Sequence, residues 1–288
     1  MADDGIQGVE QRVAWVRDSL RRIDLEPTRI PPAELAAVFL DTLCPETAAS
    51  QLISENDDLD DWPGLVAPAA LEERPAALHV GSRLARVLAI SRYPTRLHPG
   101  WLDSLQGFDG DLDLSLHIQP SPGQAVMSFL DRRVAELGST LRIEQEQGRR
   151  GDPYRRAALD DAEELQDRLA RGEERLFDAS LYLGVWADSE DELEAAVRRL
   201  EALLGARMLQ SRRLLFQMVP GLLSMLPLGC DRVGLRRCLT TAALAASFPF
   251  TGNDLCEGSL RSCEVLVGLA AYAHLPDLPT AAHQARRL

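Results

Sequence analysis

The chain has 288 residues, enough for one large domain or two of medium size, and its 45% hydrophobic and 26% charged residues are an ordinary globular composition. The net charge of −13 argues against a general nucleic-acid-binding protein, because contact with phosphates needs a basic surface. All 31 basic residues are arginine, and without lysine the chain can form neither a Walker A phosphate loop nor a Schiff base with pyridoxal phosphate.

Residues 1–62 are predicted to form a helical segment followed by an acidic linker. Pro31 and Pro32 start a second helix, since proline is tolerated in the first turn. The acidic run at 55–61 lacks the glycine and the closing glutamate of a calcium loop, so it reads as a linker. The polar N-terminus predicts no signal peptide, and no run of 18 apolar residues predicts a membrane span. The first helix is predicted from four apolar residues at helical spacing, Val9, Val13, Val16 and Leu20.

Residues 63–220 are predicted to form an α+β domain with a ferredoxin-like sheet. A short helix follows the first strand, and a capping box at 189–192 starts a helix after the third. Two βαβ units in one antiparallel sheet give the ferredoxin-like pattern, with both helices on one face. The hairpin described below or the N-terminal helices are expected to cover the other face. The strands are predicted at 83–91, 111–119, 177–187 and, more weakly, 208–217.

The second of these strands alternates cleanly between apolar and polar residues. One face is predicted to be buried and the other to be a solvated polar face. The apolar set is Leu112, Leu114, Leu116 and Ile118, and the polar set is Asp111, Asp113, Ser115 and His117.

Residues 122–174 are predicted to form a long helical hairpin inserted between the second and third strands. Its tip carries four arginines, Arg149, Arg150, Arg155 and Arg156. They form a candidate grip for acidic lipid headgroups or nucleic acid. The alternative is a solvated loop balanced by Glu144, Glu146 and Asp152, as the mixed charge favours.

No catalytic residue, cofactor or metal site is predicted. The five cysteines are odd in number and form no CxxC pair, which favours reduced thiols over a zinc knuckle. One alternative hypothesis is an enzyme that uses Asp111, Asp113 and His117, but no nucleophile or phosphate-binding motif accompanies these residues. Trp101 and Trp186 are assigned to packing or to contact with a partner rather than to cofactor stacking.

A series of segments between residues 66 and 276 resembles the N-terminal domain of VirB-type conjugation ATPases, the motors of type IV secretion and of Gram-positive integrative elements. Residues 1–60 lie outside this resemblance. The matching segments are Arg83-Leu-Ala-Arg-Val-Leu-Ala-Ile with Tyr93-Pro94, Pro99-Gly-Trp101-Leu, Leu112-Asp-Leu-Ser-Leu-His-Ile118, Asp167-Arg-Leu-Ala-Arg-Gly-Glu-Glu-Arg-Leu-Phe177, Leu226-Pro-Leu-Gly229 and Ala246-Ser-Phe-Pro-Phe250.

The resemblance implies a non-catalytic interaction domain. In the family, residues like those of the helical C-terminal region 221–288 lead into a motor that begins with a Walker A loop, whereas here neither a Walker motif nor a lysine follows. The expected partners are inner-membrane channel subunits and neighbouring motor subunits, at the cytoplasmic face of the membrane. Self-association as a dimer or hexamer is left open, peripheral membrane contact is allowed, and direct binding of nucleic acid is not expected. The alternative is a stand-alone binding or regulatory module unrelated to secretion.

Overall fold

The computed structural model divides into two compact units. The first comprises Met1–Pro68 and Leu266–Leu288, and the second is Ala69–Val265. The residues that the structure describes are 2–22, 28, 30–44, 64, 66–94, 97–102, 105, 107–148 and 152–247.

The first unit contains the two predicted N-terminal helices, α1 (Ala2–Arg21) and α2 (Pro32–Leu43). Helix α1 begins at Ala2 rather than near residue 9. Helix α2 begins at the expected proline, where the missing N–H would have no partner inside the helix. Its buried residues are Ala36, Phe39, Leu40 and Leu43.

The second unit is built on one antiparallel sheet of seven strands, which confirms the predicted α+β class. The main path is β1-β2-β3-β5-β4, while β6 also pairs with β3 and β7 also pairs with β5. The four strands predicted from the sequence therefore lie in the order β6-β3-β5-β4, with the first and third in the centre. The strands are β1 (Leu71–Glu73), β2 (Leu78–Val80), β3 (Arg83–Arg92), β4 (Asp111–Pro120), β5 (Leu176–Ala187), β6 (Gln210–Arg213) and β7 (Arg237–Thr240).

One face of the sheet carries the apolar core. The helical hairpin contains α3 (Gly123–Glu146) and α4 (Pro153–Ala170), and the core helix that follows β5 is α5 (Glu190–Ala206). The predicted cap of α5 is present, because the Ser189 Oγ accepts the Glu192 N–H at 3.4 Å. The segment that contains Trp101 packs into the same core, as the right-handed crossovers predict. The buried residues of α5 are Leu193, Ala196, Val197, Leu200 and Leu204.

Strand β4 is less buried than its alternation predicts. Leu112 and Leu116 pack against the core, but Leu114 is 41% and Ile118 is 48% exposed. The prediction of a fully buried row is therefore wrong for Leu114 and Ile118. The reason is position, because β4 is the outer strand and α5 packs on β3, β5 and β6 instead.

The opposite face of the sheet is covered by α6 (Met218–Met225), which packs on β3, β4 and β5. A Cβ added to Gly221 would lie 2.8 Å from Leu214 Cδ1 and 3.0 Å from Val87 Cβ. Glycine therefore lets the helix backbone lie directly on the sheet. The hairpin, one of the covers expected from the sequence, makes no substantial contact with the strands.

The hairpin is confirmed at the predicted place. Its helices pack on each other, and α3 buries Leu130, Leu137 and Leu141, whereas α4 has no buried residue. The two ends of the hairpin meet at the sheet, where the Ser121 N–H donates to the Leu176 carbonyl oxygen at 3.0 Å. The hairpin is thus an insertion between two adjacent positions of the β4–β5 pair.

The sheet unit extends beyond the predicted boundary at residue 220. Helix α6 spans that residue, and β7 pairs with β5 before α7 (Thr241–Ala246) begins. The unit begins at Ala69, a few residues after the predicted start at 63. Residues 248–288 of the predicted C-terminal region lie outside the described residues.

Candidate functional site

The polar row of β4 lies on the face of the sheet on which α6 packs, and α6 covers only part of the row. The register of the β4–β5 pair sets Asp113 opposite Gly184, Ser115 opposite Tyr182, and His117 opposite Ser180. Ser115 and His117 are half-buried, whereas Asp111 and Asp113 remain exposed. The expected solvated face is therefore present only at the first two positions, because the C-terminal end of α6 lies over the others.

Two side chains of this row hold the end of α6. The Ser115 Oγ donates to the Ser224 carbonyl oxygen at 3.1 Å, and the His117 Nε2 lies 2.7 Å from the same oxygen. A carbonyl oxygen only accepts, so the proton of His117 is on Nε2. The imidazole also meets the Tyr182 ring edge-to-face, with 5.8 Å between centroids. These contacts use His117 to position α6, which does not leave it placed as a general base.

Asp231 is the centre of a second polar cluster under the loop that follows α6. Its side chain is 3% exposed. The Oδ1 accepts the Tyr182 hydroxyl at 2.7 Å and the Gly234 N–H at 2.8 Å, and the Oδ2 accepts the Ser180 hydroxyl at 2.9 Å. The carboxylate therefore ties the loop to two residues of β5.

The hydrogen bonds around Asp231 decide its charge state. Burial by itself would raise the pKa of Asp231. The hydrogen bonds from Tyr182, Gly234 and Ser180 outweigh burial, so the pKa of the carboxyl lies below its usual value. Burial first, and then the neighbouring carboxylate, raise the pKa of Tyr182 above its ordinary value. The pair thus remains a protonated phenol that donates to an ionised carboxylate.

The exposed end of the row is held by Trp186 and Arg83. The Trp186 Nε1 donates to the Asp113 Oδ2 at 2.7 Å. Although the residue as a whole is exposed, the surrounding protein atoms take water away from the Asp113 carboxyl, and this desolvation raises its pKa, while the indole hydrogen bond opposes the rise. The Arg83 Nη2 lies 2.6 Å from the Asp111 Oδ2, and its guanidinium lies 5.6 Å from the Trp186 ring centroid. The two carboxylates are therefore engaged separately and do not form a shared acid–base pair.

An ion-pair network lies on the other face of the sheet and joins α5 to β3 and β6. Arg213 forms a bidentate pair with Glu201, at 2.8 and 2.9 Å, and also reaches Glu194 at 3.2 Å. Arg86 is buried and pairs with the same Glu194. Hydrogen bonds from Arg86 and Arg213 lower the pKa of Glu194. This network positions a helix and contains no group that could act as a nucleophile.

Of the four arginines at the hairpin tip, the structure describes Arg155 and Arg156. Arg149 and Arg150 lie outside the described residues. Arg155 pairs with Glu144 and lies 3.9 Å from Asp152, whereas Arg156 is exposed. The negative charges of Glu144 and Asp152 thus balance the positive charge of Arg155.

The two tryptophans considered for partner contact are buried in the sheet unit. The Trp101 Nε1 donates to the Ser247 Oγ at 3.1 Å, and Trp186 donates to Asp113 as described above. Packing is therefore the role that the fold gives to both indoles. In the part of the chain that the structure describes, no group of three or more histidine, cysteine, aspartate or glutamate residues could hold a metal ion.

A family model described as the TraC protein matches residues 7–230 of the chain. The chain belongs to the TraC family. This is a family of type IV secretion and conjugation ATPases, so the resemblance drawn from the sequence is confirmed. No curated protein matches the chain.

The TraC match also corrects the extent of the resemblance. It begins at residue 7, so the N-terminal helices belong to the matched region, and it ends at residue 230, before β7. The family match favours secretion or conjugation over the alternative of an unrelated module. Among the residues described, no helix combines the length and the apolar character needed to cross a bilayer.

The sequence did not identify Asp231 or Ser224 as members of the site. Asp231 lies three residues before Gly234, whose φ is +73°. The pattern Asp-x-x-Gly is typical of a turn, and it is the sequence signal that could have identified Asp231. Ser224 contributes its backbone carbonyl, which no side-chain pattern encodes.

Proposed function

We propose that this TraC-family chain is a non-catalytic interaction domain. In this proposal it docks on inner-membrane channel subunits and on neighbouring motor subunits, at the inner face of the cell membrane, during transfer of DNA or protein. It hydrolyses no ATP itself, because it has no lysine to hold the β- and γ-phosphates. The family match supports the setting, and the surface of the hairpin supports the docking role.

The observation that carries the proposal is the exposed apolar surface of α3. Phe129 is 64% and Ile143 is 53% exposed. The two residues are 14 positions apart, so they lie on nearly the same side of the helix and about 21 Å from each other. The buried leucines of α3 lie on another side, against α4. The outer apolar residues therefore serve neither the sheet nor the closure of the hairpin.

The dimensions of the hairpin suit a docking element. A helix of 24 residues is about 36 Å long, and the hydrogen bonds that join the hairpin to the sheet unit lie at its base, from Ser121 to Leu176 and between Arg175 and Thr241. Its exposed charges are of both signs, as in Arg132, Glu136 and Arg156, which favours a protein surface over an anionic lipid surface. Single exposed apolar residues are common, but two on one side of a protruding helix suit an amphipathic groove.

The test replaces both apolar residues by glutamate, as Phe129→Glu with Ile143→Glu. The matched control is Leu215→Glu, because Leu215 is also 53% exposed but lies in the turn after β6. We expect the hairpin variant to lose co-sedimentation with membranes that contain the secretion subunits, while the control keeps it. Melting temperatures close to that of the parent would show that both variants are folded.

Two results would contradict the proposal. One is a hairpin variant that co-sediments like the parent. The other is ATP turnover that co-purifies with the chain and disappears with a point substitution in it.

A further inference from the structure

Strand β4 forms one outer edge of the sheet. All ten of its residues, from Asp111 to Pro120, pair with β5 on the inner side. Within the described part of the chain, no strand pairs with its outer side. In an antiparallel strand, alternate residues direct both the N–H and the C=O to one side, so this edge carries a row of unpaired donors and acceptors. Such a row is a template for another strand.

The features by which sheets usually block such pairing are confined to the two ends of this edge, with Asp111 and Asp113 at one end and Pro120 at the other. The β4–β5 register is continuous and contains no bulge, and the strand has no lysine. Its proline is the last residue, Pro120, so the other nine positions keep their N–H groups. Leu114 and Ile118 add exposed apolar surface along the same strand. The opposite edge differs in length, because β1 has only three residues whereas β4 has ten.

We propose that β4 pairs antiparallel with β4 of a second copy of the chain, so that the two sheets join into one. The register is centred on Ser115, which then lies opposite Ser115 of the second copy. In this register every residue of β4 that has a backbone N–H group, from Asp111 to Gln119, lies opposite another such residue. If the centre of the register moved by one residue to Leu116, Leu112 would lie opposite Pro120, which has no N–H to donate.

The side chains of β4 are complementary to their own reverse order, which favours a second copy over an unrelated strand. In this register Leu114 lies opposite Leu116, and Leu112 lies opposite Ile118. On the other face Ser115 lies opposite itself and Asp113 lies opposite His117, so no two like charges meet across the pair. Apolar pairs directly across a strand pair are favourable, whereas like charges there are unfavourable.

The first experiment measures the mass of the full chain by sedimentation over a hundredfold range of concentration. We expect the parent to be a dimer and the double variant Leu114→Lys with Ile118→Lys to be a monomer, with a dissociation constant raised at least tenfold. Both residues are already exposed, so the melting temperature should change little. The control is Phe129→Lys on α3, which should remain a dimer. A monomeric parent, or a lysine variant that dimerises like the parent, would overturn the proposal.

A second experiment tests the register by cysteine cross-linking. Directly opposite residues have Cβ atoms about 4.5–5.5 Å apart, close to the range that a disulfide bridges. Ser115→Cys should cross-link to itself under mild oxidation, whereas Gln119→Cys should not, because its counterpart lies about 27 Å away. The parent, oxidised in parallel, reports any link through the native cysteines. Equal cross-linking of both variants would overturn the register on which the proposal stands.

The inference does not depend on the docking role of the hairpin. The lysine variant leaves Phe129 and Ile143 unchanged, and the glutamate variant of the hairpin leaves β4 unchanged. Loss of dimerisation with docking retained, or the reverse, therefore identifies which of the two proposals has failed.

Discussion

The central strand β5 and the hairpin helix α4 each carry an apolar pattern in the sequence, alternation in β5 and a helical stripe in α4, but the two elements are buried to different extents. Strand β5 is fully buried from Ala179 to Trp186, whereas α4 contains no buried residue although Leu159, Leu165 and Leu169 form a stripe. Among the described residues, α3 is the element that packs most extensively on α4, and the leucines of the stripe remain half-buried. An apolar stripe therefore indicates that a helix packs against a neighbour. The number of layers packed around the helix decides how far the residues of that stripe are buried.

The largest expected difference follows from this contrast. Leu183→Asp places a carboxylate at a fully buried position of β5, and we expect a loss of about 3–5 kcal/mol in the free energy of unfolding. Leu165→Asp, in the half-buried stripe of α4, should lose only about 1–2 kcal/mol, because its carboxylate can reach water. Urea unfolding followed by circular dichroism measures both variants. Similar losses for the two would show that the hairpin is part of the cooperative core.

A smaller effect is expected at the polar cluster. Asp231→Ala leaves Tyr182, Ser180 and the Gly234 N–H without their acceptor, which should cost about 2–3 kcal/mol. The control is Asp160→Ala on α4, where the carboxylate is exposed and the change should be within about 0.5 kcal/mol. Thermal melts at neutral pH compare the two. An Asp231→Ala variant as stable as the control would show that the polar cluster does not stabilise the fold.

The same carboxylate predicts a dependence on pH. Its folded pKa is lowered, so its contribution to stability is present above the unfolded pKa of about 3.9 and is lost as the pH falls through the folded pKa. Asp231→Asn should therefore be less stable than the parent at neutral pH, and the difference should shrink in acid. A difference that stays constant from neutral pH to about pH 3 would contradict the lowered pKa.

The sequence predicted the elements whose signals are local. The alternation at 177–187, the Ser189 cap and the hairpin at 122–174 were all found near their predicted bounds. Helix α6 was predicted only as part of a helical region from residue 221, without bounds of its own, and the close contact that Gly221 permits with Val87 was not predicted. Alternation in β4 could not distinguish an outer strand from a central one, since both alternate, and only the layer above the strand decides which residues are buried.

The candidate site was predicted only in part. His117 and Asp113 were identified as polar residues of one strand face, but their partners come from α6 and from β5. Ser224 takes part through its carbonyl oxygen, and Asp231 lies more than a hundred residues after His117. Contacts through backbone atoms and across long sequence separations depend on the tertiary fold, which spacing within one segment does not encode.

The most direct measurement removes the hairpin and leaves the sheet. Because the Ser121 N–H donates to the Leu176 carbonyl oxygen, a two-residue Asn-Gly turn in place of residues 122–175 should join β4 to β5 as a simple hairpin. We predict that this shortened chain keeps a cooperative thermal transition within a few degrees of the parent and no longer co-sediments with membranes containing the secretion subunits. A shortened chain that fails to fold, or one that folds and still co-sediments, would contradict the claim that the hairpin is a docking element separate from the sheet.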